Sequence, residues 1–102
     1  MKRAVVWSRA ALDELKAQAG FIARDNPAAA RRVTERIRIT GDGLSHFATG
    51  RPGRVAGTYE KSMSGLPSIV AYAIERTFDF ETVIVLHVIH TARDRPAGSW
   101  PD

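Results

Sequence analysis

The stretch "TVIVLHVIH", Thr82 to His90, decides how the rest of the chain is read. Alternation puts Val83, Val85 and Ile89 on one side and Ile84, Leu86 and Val88 on the other, so both faces are apolar. A strand buried on both faces belongs in the middle of a sheet. It runs directly into "TARDRP", Thr91 to Pro96, where Arg93, Asp94 and Arg95 cluster. The combined run "VLHVIHTARDRP" therefore begins as core and ends as charged surface. His87 alternates with Val85 and Ile89 and has the place of a hydrogen-bonded core or edge histidine, whereas His90 stands at the exit.

Two further apolar stretches precede this strand, Val55 to Met63 and Ile69 to Arg76, divided by the turn signals "SGLP" and "TFDFE". Three consecutive strands with short connections read as an antiparallel meander. A glycine- and proline-rich loop with two arginines, "TGRPGRVAG", leads into it.

The first half of the chain has a different period. "RAVVW", Arg3 to Trp7, is short and β-branched and reads as a first strand, and Ser8 after it is a good N-cap. Leu12, Leu15, Ala19 and Ile22 then recur at helical spacing. "RDNP" ends that helix and starts another, with Asn26 as cap and Pro27 at the first helical position, where a missing N–H costs least. In the second helix Ala30, Val33, Ile37 and Leu44 fall on one stripe, with Thr40 between them and Phe47 extending it. Two helices joined by so tight a turn pack antiparallel. Gly41 and Gly43 mark a place where the second helix bends, frays or admits another backbone. The expected fold is α+β: a first strand, an antiparallel helix hairpin, then a three-stranded antiparallel meander completing one small sheet. The first strand is expected to lie beside the last, antiparallel to it, with the helix pair on one face.

Composition narrows the function. A chain of 102 residues is the size of one domain, and residues 1–102 are read as one, without repeats or low-complexity segments. Zero cysteines exclude a disulfide framework, a thiolate zinc site and a cysteine nucleophile, and suit a reducing cytoplasm. The apolar run in "MKRAVVWSRAAL" stops after Trp7, too early for a signal peptide, and "VIVLHVI" is too short to span a bilayer. Lysine and arginine outnumber the acids 15 to 11, for a net charge of +4 and a pI near 10.1, which suits an acidic partner.

Four motifs carry a resemblance: "W-S-x-x-A" at Trp7 to Ala11, "FIARDNPAAARRV" at Phe21 to Val33, "GRPGRVAGTYE" at Gly50 to Glu60, and "VLHVIHTARDRP". In order, spacing and length they resemble the ParE side of the RelE/ParE toxin superfamily, over nearly the whole chain. The chain departs from the usual family wording at Tyr59, Ser68, Thr91 and Arg95. The resemblance implies a bacterial type II toxin, neutralised by a cognate acidic antitoxin in a hetero-oligomer and poisoning DNA gyrase. RelE relatives instead cut messenger RNA in the ribosome, and a non-toxic binding module with this fold is a third reading.

An RNA-cutting relative needs positioned cations with an acid and a base. Arg51, Arg54, Lys61, Arg76, Arg93 and Arg95 supply cations, and His90 or Tyr59 could move protons. The tail "DRPAGSWPD", however, lacks the lysines and tyrosine that RelE-type nucleases place near their C-terminal end. No catalytic residue, metal or cofactor is therefore expected, nor direct nucleic-acid binding without the antitoxin. The target-binding face is expected at Arg51, Arg54, Tyr59, His90, Arg93, Asp94 and Arg95. Antitoxin contacts are expected at Trp7, at Arg24, Arg31 and Arg38, which repeat every seven residues on the polar side of the hairpin, and at Trp100.

Overall fold

A computed structural model describes residues 2–46 and 48–91. Strand β1 (Lys2–Trp7) leads into helices α1 (Arg9–Ala23) and α2 (Pro27–Asp42), then a 3-10 turn (Gly43–Ser45) and strands β2 (Arg51–Pro52), β3 (Tyr59–Ser62), β4 (Ser68–Arg76) and β5 (Phe80–His90). The strands form one sheet in the order β1-β5-β4-β3-β2, with the helices packed on one face. The α+β reading holds, and β5 is internal as its composition requires. No helix among the described residues is long and apolar enough to cross a membrane.

Capping chemistry sets the first turns. Ser8 closes β1 by donating its backbone N–H to Val85 O at 2.9 Å, and its hydroxyl opens α1 by accepting the Ala11 N–H at 3.0 Å. Asn26 Oδ1 accepts the Ala29 N–H at 3.0 Å, and Pro27 follows it at the start of α2. The apolar stripes then meet the sheet: Ala11 and Leu15 of α1, Ile37 of α2 and Leu44 pack with Val70, Tyr72, Val83, Val85 and Val88. Of the expected α2 stripe, Phe47 lies outside the described residues.

Three expectations are corrected. First, β1 pairs with β5 in parallel, Lys2 opposite Phe80 through Trp7 opposite Val85. The cause is the direction of the helix hairpin: α1 runs on along β1 rather than back against it, Ser8 meeting Leu86 and Gln18 meeting Val88, and the chain returns only through α2. Strand β2, two residues hidden in the glycine- and proline-rich loop, pairs antiparallel with β3 as a further strand that the expected sheet lacked. Second, the strand expected over Val55 to Met63 begins only at Tyr59. Gly57 takes φ 81°, and Thr58 donates its N–H and hydroxyl back to Val55 O, so Val55–Thr58 is a turn.

Third, strict alternation along β5 fails at a bulge. Ala71 faces His87 while the next residue, Tyr72, faces Val85, so Leu86 is the extra residue. The bulge shifts the phase by one: Val88 joins Val83 and Val85 under the helices, and Ile89 turns to the other face with Ile69 and Ala71. Leu86 is consequently half-buried rather than core.

Beyond Trp7 no residue of β1 flanks β5, and α1 takes over that edge. The Ser8 hydroxyl donates to Leu86 O at 2.9 Å, the Glu14 carboxylate accepts the Val88 N–H at 2.9 Å, and the Gln18 amide donates to Val88 O at 3.1 Å. Buried Gln18 also accepts the Ser68 hydroxyl at 2.9 Å. His87 Nδ1 lies 3.0 Å from Glu14, and since a carboxylate only accepts, the ring nitrogen is the donor. Successive α1 residues thus meet successive β5 residues, and α1 runs in the direction of β5. The turn between the helices and the turn between β4 and β5 therefore lie at opposite ends of a molecule 47 Å long.

Candidate functional site: a groove along the helix hairpin

Where α1 and α2 lie side by side, small side chains keep the outer seam open. Ala19, Gly20 and Ala23 of α1 face Pro27, Ala30, Arg31 and Thr34 of α2 across a cavity of roughly 500 Å³. A second cavity of roughly 310 Å³, lined by Arg9, Leu12, Asp13, Leu15 and Lys16, shares Ala19 and Thr34 with the first. A third, of roughly 300 Å³, shares Leu12 and Leu15 with the second and ends at Trp7, Arg38 and Asp42. Together they make a continuous groove along the hairpin.

The floor is mostly apolar and the rim is charged. Leu12 remains 45% exposed although it sits on the apolar stripe of α1. Arg9, Lys16, Arg31 and Arg38 stand along the rim, with Asp13, Glu35 and Asp42. Two of those acids face neighbours already: Glu35 lies 4.0 Å from Arg38, and Asp42 accepts the Trp7 indole N–H at 2.9 Å. An apolar floor beneath a rim richer in cations suits an amphipathic segment carrying acids beside its apolar face.

The residues expected to contact an antitoxin divide accordingly. Arg31, Arg38 and Trp7 border the groove; Arg24 is exposed at the C-terminal end of α1 and lines none of the three cavities. Trp100 lies outside the described residues. Leu12 and Ala19 belong to the helical stripe of α1, and a stripe alone does not reveal that the partner helix leaves part of it uncovered.

The residues expected to face the target are spread over the sheet. Arg51 is exposed on β2, 4.0 Å from Glu60. Arg54 fastens the loop, its backbone N–H and its Nε donating to Glu60 Oε2 at 3.0 and 3.2 Å. Glu60 is buried, and it belongs to the quoted "GTYE" run without having been assigned a role. Tyr59 stacks on Tyr72 with ring centroids 5.5 Å apart. The Tyr72 hydroxyl accepts the Gly50 N–H at 2.8 Å, and burial raises its pKa above the ordinary phenol value, so this tyrosine stays protonated near neutrality.

His90 stands opposite Ser68, whereas Tyr59 stands opposite Tyr72, four positions further along β4 and on the other side of it. At about 3.3 Å per residue that is roughly 13 Å along the strand before the strand spacing is added. The two candidate proton carriers are thus not brought together. Arg93, Asp94 and Arg95 lie outside the described residues. Among the described residues no group of histidine, aspartate and glutamate is placed to hold a metal ion.

A family model described as "ParE toxin of type II toxin-antitoxin system, parDE" matches residues 5–95. The curated protein "Putative toxin Y4kP" of Sinorhizobium fredii (strain NBRC 101917 / NGR234) is 36% identical over 87 residues, 84% of this chain and 91% of its own length. Among solved structures, a chain of the chromosomal ParDE TA system from P. aeruginosa has the same fold, with a TM-score of 0.78 at 18% identity over 87% of this chain and 96% of that one. With the end of the first strand, the helix hairpin and the antiparallel strands inside the matched span, the chain belongs to the ParE toxin family of type II toxin–antitoxin systems.

Proposed function

We propose that this toxin arrests growth by binding DNA gyrase rather than by cutting RNA, and that an acidic antitoxin holds it inactive in the cytoplasm. The observation that carries the antitoxin half is the groove: an apolar floor along the whole hairpin under Arg9, Lys16, Arg31 and Arg38. An antitoxin segment that orders on binding fits such a surface, with its acids meeting the rim. The separation of Tyr59 from His90, and the use of Arg54 to fasten its own loop, support a non-catalytic poison. Arg51 and Tyr59, both exposed at the β2–β3 edge, are retained as target contacts together with His90, Arg93, Asp94 and Arg95.

Purified toxin is expected to inhibit gyrase supercoiling in proportion to its concentration, and the product of the adjacent reading frame to relieve this and to co-purify with it. Site-specific messenger RNA cleavage on translating ribosomes, abolished by Tyr59→Phe or His90→Ala, would replace this reading with a nuclease. Failure of the adjacent product to co-purify would remove the antitoxin.

A further inference from the structure

The β4–β5 turn carries the most exposed large apolar side chain among the described residues. Phe78 is 97% exposed and Phe80, two positions on, is 38% exposed. Neither belongs to the core or borders the helix groove. A solitary exposed leucine or valine is ordinary, but an aromatic ring standing wholly in water at the tip of a hairpin is a ready interface anchor.

The tip is held in place. The Thr77 N–H donates to Phe80 O at 2.8 Å and closes the turn. Directly below, Glu81 accepts Arg76 Nε at 2.6 Å on one side and Arg3 Nε at 2.8 Å on the other, so β4 and β1 both clamp the base of β5. The bond from Arg76, then that from Arg3, holds the Glu81 carboxyl below the ordinary carboxylate range, and the clamp is charged near neutrality. A ring presented on a fastened turn loses little freedom on binding.

Charge identifies the class of partner. Around the tip, among the described side chains, the acids Glu75, Asp79 and Glu81 stand against the cations Arg3 and Arg76. Among the described residues this end has no excess of cations, although the chain carries +4. It offers no electrostatic attraction to a nucleic-acid backbone or an anionic lipid surface. An apolar cleft in a folded protein suits an uncharged aromatic tip.

We propose that the β4–β5 tip, anchored by Phe78, is the element by which this toxin grips its protein target, inserting the ring into an apolar cleft there, at the end of the molecule opposite the helix turn. The proposal rests on the toxin reading and names a contact that it leaves open. Phe78→Ser and Phe78→Trp are compared with wild type for thermal unfolding, antitoxin co-purification, growth inhibition and gyrase supercoiling.

Because the side chain touches solvent, Phe78→Ser is expected to unfold at the wild-type temperature and to keep its antitoxin. It is expected to need about 30-fold more protein for equal inhibition, the usual scale for losing an interface anchor. Phe78→Trp is expected to remain toxic. A Phe78→Ser protein as toxic as wild type overturns the proposal, and so does one whose only change is loss of self-association in sedimentation. If Phe78→Ser loses toxicity while neither protein affects gyrase, the gyrase reading fails and the tip stands. A wild-type chain that leaves growth untouched overturns both.

Discussion

Gly41 shows how much one missing methyl group decides. It is buried near the end of α2, and a Cβ built there would sit 2.8 Å from Trp7 Cη2 and closer still to Cζ2. The glycine admits a side chain rather than another backbone, and the helix continues through it to Asp42. With the indole seated there, its N–H reaches Asp42, which joins the last turn of α2 to the exit of β1. Gly41→Ala is a better helix former locally, worth up to about 1 kcal/mol, but it displaces a packed ring. Overpacking of that kind typically costs about 1 to 3 kcal/mol, so the net sign is destabilising. Urea unfolding is expected to show a lower midpoint with an unchanged slope; a midpoint at or above wild type would mean that Trp7 moves aside freely. The sequence flagged this glycine as exceptional, but it could not name the tryptophan 34 positions away.

At the scale of elements, α1 acts partly as a continuation of β1. Its hydroxyl, carboxylate and amide groups, from Ser8, Glu14 and Gln18, serve the β5 backbone where the parallel strand has stopped. The end of β1 makes the help necessary, because β5 runs on past Trp7 and its backbone groups on that edge would otherwise be in want of partners. Glu14→Ala removes the acceptor of both the Val88 N–H and His87 Nδ1, and a part-buried group left unmatched costs about 1 to 3 kcal/mol. Hydrogen exchange at the Val88 amide is expected to quicken more than at Val83, which pairs within intact ladder; equal effects at both would point to general loosening. None of this was readable beforehand. Helical spacing located α1 and its cap, since capping is local, but polar groups aimed at a strand some 70 residues on leave no periodic trace.

For the whole molecule, the legible part was the part that local chemistry determines: two capped helices, the internal strand and the antiparallel order of β3, β4 and β5. What escaped was global parity. The direction of β5 relative to β1 turned on whether α1 runs on along β1 or back against it, which no propensity pattern reveals. The groove escaped for a similar reason, as it is a gap between two elements rather than a property of either. The local signals marked much of the core, with Leu12 and Leu86 as exceptions, and the assembly determined which surfaces stayed open.

The position of β5 also has a meaning in time. Of the described strands, the one that sits between β1 and β4 is made last by the ribosome, and it supplies the backbone that Glu14 and Gln18 of α1 hold. Until Phe80–His90 emerges, β1 has no neighbour, β4 has an open edge, and α1 has only α2 to pack against. Pairings this distant in sequence are slow to form, and a half-made sheet is exposed while synthesis proceeds at about 5 to 20 residues per second. Chains tethered to the ribosome and ending before Phe80 are expected to be digested throughout by protease, and chains reaching past Thr91 to be protected once clear of it. A protected core in the shorter chains would show that the earlier elements fold alone. Otherwise the newborn toxin is harmless, and its groove unformed, until the last strand arrives, so the antitoxin meets a finished surface rather than an emerging one.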